Sequence, residues 1–125
     1  MNIIYGIPNC DTTKKTLDWF KKNKVEYEFH DYKKTAISKE KIEQWCKKVS
    51  WEILLNKKST TWKNLTSAEQ QTVTSQAAAI KIMMENTSII KRPVIETGNV
   101  ILVGYNEENF LRVFFICDRF FSTQL

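Results

Sequence analysis

The feature that most restricts the fold is the packing of strand, loop, helix and strand patterns into the first 31 residues. Asn2 to Gly6 is a short apolar run, and Gly6, Pro8 and Asn9 end it in a loop. From Thr12 or Thr13 to about Asn23, Thr16, Leu17 and Phe20 recur at helical spacing opposite a face of lysines, with threonine hydroxyls at hand to cap the first amides. Val25, Tyr27 and Phe29 then alternate with Glu26, Glu28 and His30, the pattern of a half-buried strand. One helix between two strands this close in sequence implies a right-handed crossover and parallel pairing. The loop leaving the first strand then opens at the carboxyl end of the sheet, where ligands bind in such folds. Cys10 lies in that loop.

The rest of the chain predicts a helical stretch followed by a second strand unit. Ile42, Trp45, Cys46 and Val49 mark a helix from near Ser38 through Lys48, Trp51 to Leu55 forms an apolar turn, and Asn56 to Thr61 reads as a polar loop. Thr66-Ser67-Ala68-Glu69 has the capping-box pattern, so a helix begins there, breaks near Thr72 to Thr74 and resumes from Gln76 to Glu85. Residues 89 to 96, Thr97-Gly98-Asn99 and Val100 to Val103 read as a β-hairpin, with Pro93 near the start of its first strand, where the missing donor is tolerated. Asn106 caps a last helix carrying Phe110, Leu111, Phe114 and Phe115, and residues 118–125 read as a tail. The order βαβ, helical insert, ββα predicts an α/β, thioredoxin-like mixed sheet of about four strands flanked by helices. The expected organisation is one domain over 1–125, its core at 1–35 and 88–117 and its insert at 36–87.

Composition excludes several classes. With 125 residues, 42% hydrophobic and only 3 Gly and 2 Pro, the chain suits one ordinary folded domain. No apolar run approaches a membrane span, and the N-terminus is strand-like rather than a basic segment leading a long apolar one. Three widely spaced cysteines and a single histidine, His30, argue against a zinc site or a disulfide framework. A reducing cytoplasm is the expected compartment. The net charge of +5 belongs to the first half, since fourteen of the nineteen basic residues lie in 1–63. Many of them come as spaced lysine pairs, which favour solvated helix faces over a polyanion-binding surface; the minority reading is an acidic protein partner or nucleic acid.

Cys10 carries the chemistry. A sulfur between a strand and a helix faces unpaired amides and the positive end of the helix dipole, and Lys14 and Lys15 add positive potential, so a thiolate is favoured at neutral pH. Cys46 lies on an apolar helical stripe and Cys117 follows two phenylalanines, so packing is the favoured role of both. Thr13 stands where a Cys-x-x-Cys motif would place its second thiol, so oxidised Cys10 needs a thiol from elsewhere, glutathione being the economical choice. A sheet that sets the hairpin strand beside the first puts Arg92 within reach of the Cys10 loop, where its planar fork suits a carboxylate or oxyanion; a plain surface arginine is the even alternative. A structural or exposed role is favoured for His30.

Tyr5-Gly6-Ile7-Pro8-Asn9-Cys10-Asp11-Thr12-Thr13-Lys14-Lys15, Phe29-His30-Asp31-Tyr32, Leu54-Leu55-Asn56 with Thr60-Thr61-Trp62, and Ile89-Ile90-Lys91-Arg92-Pro93 together resemble the ArsC/Spx/YffB family of thioredoxin-like proteins, most of all its YffB-type branch. The resemblance runs from Met1 to about Phe115. It implies Cys10 as the redox-active thiol, Arg92 facing it, a cis bond before Pro93, and a binding site for substrate or glutathione made of Asn9, Asp11, Thr12, Thr13, Lys14, Lys58, Arg92 and Pro93. It also implies a glutathione-dependent monothiol reductase without a metal. Family arsenate reductases carry a histidine where this chain has Gly6 and surround the cysteine with three arginines. Here Arg92 matches one, Lys57 or Lys58 stands in the region of another, and the third has no match, which counts against arsenate reduction. A regulatory relative binds RNA polymerase, and Val103-Gly104-Tyr105-Asn106-Glu107-Glu108 resembles its corresponding segment. The resemblance therefore also implies an RNA-polymerase-binding regulator as the alternative, one whose Cys-x-x-Cys switch Thr13 removes.

Overall fold

The structure is a computed structural model that describes residues 2–116. A four-stranded sheet in the order β2-β1-β3-β4 is built from β1 (Asn2–Gly6), β2 (Glu28–Asp31), β3 (Val94–Thr97) and β4 (Val100–Val103). Helix α1 (Asp11–Lys22) connects the parallel pair β1 and β2, while β3 runs antiparallel to both β1 and β4. Between β2 and β3 lie α2 (Lys39–Cys46), α3 (Trp51–Leu54), α4 (Thr60–Lys63), α5 (Ser67–Gln71), α6 (Gln76–Glu85) and a 3₁₀ turn at Thr87–Ile89. The short helix α7 (Glu107–Leu111) continues as a wider π-helical turn at Arg112–Ile116. This is the α/β mixed sheet expected from the pattern of elements.

Local signals placed most of these elements. Ser38 accepts from the Lys41 amide, Asn106 accepts from the Asn109 amide, and both hydrogen bonds of the Thr66–Glu69 capping box are made. The hairpin turns on Gly98-Asn99, and Gly98 has φ +57°, the conformation a type II′ turn needs at its first central position.

Three expectations need correction. The polar loop at 56–61 gives way at Thr60 to α4, capped by Ser59 accepting from the Trp62 amide. The strand expected from Val25 enters the ladder only at Glu28, because β1 is short and Ile3 is already opposite Glu28; Val25 and Tyr27 keep their half-buried alternation without ladder bonds. The hairpin strand begins at Val94 rather than Ile89, since Ile90 pairs instead with Leu55 in an isolated bridge. Leu111 is exposed although Phe110 beside it is buried. Cys117 and the tail lie outside the described residues.

Two apolar clusters flank the sheet. Ile4, Trp19, Phe20, Ile95 and Phe110 pack under α1 and α7. On the opposite face Tyr5, Trp45, Leu54, Met83 and Val94 join the helical insert to the strands. Glu96 of β3 pins that second face by accepting from Tyr5 Oη (2.8 Å), Trp45 Nε1 (2.8 Å) and Lys41 Nζ (3.0 Å). Burial opposes its ionisation, but these three donors outweigh it and hold the carboxyl below its ordinary value of 4.5. A lowered folded value means stability that is present above about 4.5 and lost as pH falls through the folded value. Chemical denaturation between pH 7 and pH 3 is expected to show this loss, and Glu96→Gln is expected to flatten it while lowering stability at neutral pH by about 1–3 kcal/mol.

Candidate active site

The site sits at the carboxyl end of β1. The turn after Gly6 closes through the Cys10 amide donating to the Ile7 carbonyl (3.2 Å), and the Lys14 amide then donates to the Cys10 carbonyl (2.9 Å) as the first helical bond. Cys10 is thus the N-cap of α1, with extended backbone (φ −100°, ψ 124°). It occupies the position where serine or aspartate accepts from the second and third helical amides, here Thr12 and Thr13. The threonines expected to cap this helix do not; Thr12 is exposed and Thr13 fully buried.

The half-buried sulfur feels burial first, which opposes ionisation. That is outweighed by the Thr13 hydroxyl, the Thr13 amide, the positive charge of Arg92 and the Thr12 amide, and the thiol is held below its ordinary value. Arg92, rather than Lys14 or Lys15, is the cation that bears on the sulfur. Both lysines are exposed, and Lys15 Nζ lies 5.1 Å from the centre of the Tyr105 ring instead. Cys46 contrasts with Cys10: burial and Glu43 push its thiol up, and it packs against the core.

Thr13 owes its place to Gly6. A Cβ on Gly6 would lie 2.7 Å from Thr13 Oγ1 and 2.9 Å from Cγ2, so only glycine lets the first turn of α1 come this close to β1. The Thr13 hydroxyl is buried and has no full hydrogen bond among the described residues, its contact with the sulfur included. Charge on the sulfur is what makes it a worthwhile acceptor. Thr13→Val is therefore expected to move the pH midpoint of Cys10 alkylation upward and to slow alkylation several-fold at neutral pH, whereas Thr13→Ser keeps the wild-type profile. Gly6→Ala is expected to act from the other side, displacing Thr13 with the same shift in profile and costing about 1–3 kcal/mol of stability.

Arg92 reaches the site because β3 lies beside β1, with Tyr5 opposite Val94. It is half-buried and makes no salt bridge to a carboxylate among the described residues. The bond to the buried Pro93 is cis, and the Pro93 carbonyl accepts from the Gly104 amide (2.8 Å). Asn9, Asp11 and Lys14 are exposed around the thiol. Lys58 is exposed in the turn after Leu55, which is pinned beside the Arg92 segment by Asn56 N–H to the Ile89 carbonyl and Lys91 N–H to the Leu54 carbonyl, each 2.7 Å. Lys58 is not among the groups that shift Cys10. His30 contacts the Thr35 carbonyl through Nε2 (2.8 Å) and stacks on Tyr5 (4.8 Å), a structural setting.

Residue-type reasoning passed over Tyr32. Its amide donates to the Gly6 carbonyl (3.0 Å), its phenol is buried with no hydrogen-bond partner among the described residues, and burial keeps it protonated although Arg92 pulls the other way. The only signal for it was its place in the Phe29-His30-Asp31-Tyr32 segment. Among the described residues, no group of three or more His, Cys, Asp or Glu is placed to hold a metal ion, and no helix is long and apolar enough to cross a membrane. The arrangement offers a sulfur with a lowered pKa and, near it, a guanidinium that no carboxylate pairs among the described residues.

Known proteins are similar to this chain in sequence and, where solved, in fold. The YffB protein structure is 38% identical, with a TM-score of 0.85, covering 90% of this chain and 97% of its own. An arsenate reductase (ArsC) related protein from Brucella melitensis is 37% identical, with a TM-score of 0.72 and coverage of 91% and 94%. The global transcriptional regulator Spx 2 of Lactococcus lactis is 31% identical over 110 residues, 86% of this chain and 82% of that protein. The sequence pattern of the ArsC family matches residues 5–113, nearly the whole described chain. With that span and a solved structure 38% identical over 90% of the chain, the chain belongs to the ArsC family.

Proposed function

We propose that the protein is a monothiol reductase that works with glutathione in the cytoplasm. The observation that carries this reading is the half-exposed Cys10 sulfur at the N-cap of α1, its thiol held below its ordinary value by the Thr13 hydroxyl and amide, Arg92 and the Thr12 amide. The thiolate attacks one sulfur of a disulfide RS–SR′, forming Cys10–S–SR and releasing R′S⁻. Glutathione thiolate then attacks the R sulfur, forming GS–SR and returning the Cys10 thiolate. Arg92 steadies the negative charge during each exchange, and Asn9, Asp11, Thr12, Lys14, Lys58 and Pro93 frame the substrate and glutathione. Thr13 stands where a Cys-x-x-Cys motif would place its second thiol, so the resolving thiol does not come from that motif.

The test is the pH dependence of alkylation in a Cys46→Ser, Cys117→Ser background, with mass spectrometry after exposure to oxidised glutathione. A midpoint below the ordinary thiol range and a single glutathione adduct on Cys10 support the reading. An ordinary midpoint with no adduct overturns it. Likeness to a transcriptional regulator favours a second reading, binding to RNA polymerase without a redox switch. Retention of RNA polymerase on the immobilised protein, unchanged by Cys10→Ser, would favour it.

A further inference from the structure

A second surface lies in the helical insert and uses none of the Cys10 residues. A groove of about 610 Å³ runs between α2 and α6. On one side Lys39, Glu43 and Lys47 follow each other at four-residue intervals, so they form one stripe along α2. On the other side the groove is lined by Ala77, Ile80 and Met84, with Lys81 beside them. Ala79, Ile80 and Met83 of α6 turn into the core, but Met84 is 41% exposed. The groove is therefore an apolar strip bounded by ammonium groups.

Its charge selects the occupant. Glu43 lies 3.8 Å from Lys39, whereas Lys47 and Lys81 make no salt bridge among the described residues. We propose that the α2–α6 groove docks an acidic amphipathic helix of a partner protein, its apolar ridge on Met84 and Ala77 and its carboxylates on Lys47 and Lys81. The stripe from Lys39 to Lys47 spans about 12 Å of helix axis, enough for roughly two turns of a bound helix. Methionine suits such a strip because its flexible, polarisable side chain packs against varied partners. A basic helix meets repulsion here, and a second copy docking through the same groove brings like charges together. Single-stranded nucleic acid finds no aromatic platform among the lining residues.

The test uses the full chain and two synthetic helical peptides of about three turns. One carries leucine at helical spacing flanked by glutamate, and the other has lysine for each glutamate. The acidic peptide is expected to raise fluorescence polarisation on binding, with ¹⁵N chemical-shift changes confined to residues 39–47 and 76–84. The paired substitution Lys47→Glu and Lys81→Glu is expected to weaken it about tenfold or more and to let the lysine peptide bind instead. Met84→Asp, at an exposed position, is expected to weaken the acidic peptide and provides the check should the double charge reversal disturb the fold. No binding of the acidic peptide, shift changes outside the groove, or affinity indifferent to these substitutions overturns the proposal. So does sedimentation showing that the chain alone dimerises through this groove.

Discussion

Cys10→Ser is expected to lower thiol-reductase turnover by about three orders of magnitude or more, since a serine hydroxyl is not ionised at neutral pH and leaves no disulfide intermediate. The same substitution is expected to leave the fold intact, and melting temperature should hold or rise slightly. Cys10 is the N-cap of α1 and makes no side-chain cap hydrogen bond, whereas serine is among the best N-cap residues. Opposite signs on activity and stability distinguish a nucleophile from a packing cysteine. Turnover with oxidised and reduced glutathione, measured beside thermal melts, checks both arms. A variant with full turnover would remove Cys10 from the mechanism, and a variant that unfolds would make the cysteine structural.

Trp45→Ala is expected to have the largest effect on stability. Trp45 is fully buried, meets the Tyr5 ring edge-on at 5.0 Å and donates to Glu96. Removing it costs about 3–5 kcal/mol for the cavity alone, against a total of about 5–15 kcal/mol for a domain. The lost donor adds to this, because Glu96 stays half-buried with one hydrogen bond fewer. Urea denaturation is expected to show a large fall in midpoint with unchanged slope, and Trp45→Phe an intermediate value. A loss below about 1 kcal/mol would mean that the insert is not anchored to the sheet through this residue.

The parts of the fold that were legible in advance rest on interactions a few residues long. Capping at Ser38, Thr66 and Asn106 is settled within four residues of each position, and the close spacing of β1, α1 and β2 leaves one way to pack them. The paired lysines at 14, 15, 21, 22, 33, 34, 47, 48, 57 and 58 are all exposed, which a solvated face and a partner surface both require. Two of the errors fall where a distant partner competes, whereas α4 was missed although its Ser59 cap is local. Ile90 has the apolar pattern of a strand, but Leu55 takes its bridge partner, and β2 starts late because β1 sets the length of the ladder.

The sequence by itself determined the α/β class, the position of Cys10 ahead of a helix, and the absence of a second thiol at Thr13. Each follows from residue identity and local periodicity, which the chain carries before it folds. Only the tertiary structure decided which groups act on the sulfur. Arg92 arrives because β3 pairs with β1, and Thr13 is buried because Gly6 lets the helix approach, while Lys14 and Lys15, nearer in sequence, point away to solvent and Tyr105. Glu96 gathers donors that are 51, 55 and 91 residues distant in the chain. The electrostatics of a site depend on distance and burial in space, and neither exists until the sheet has brought its strands together.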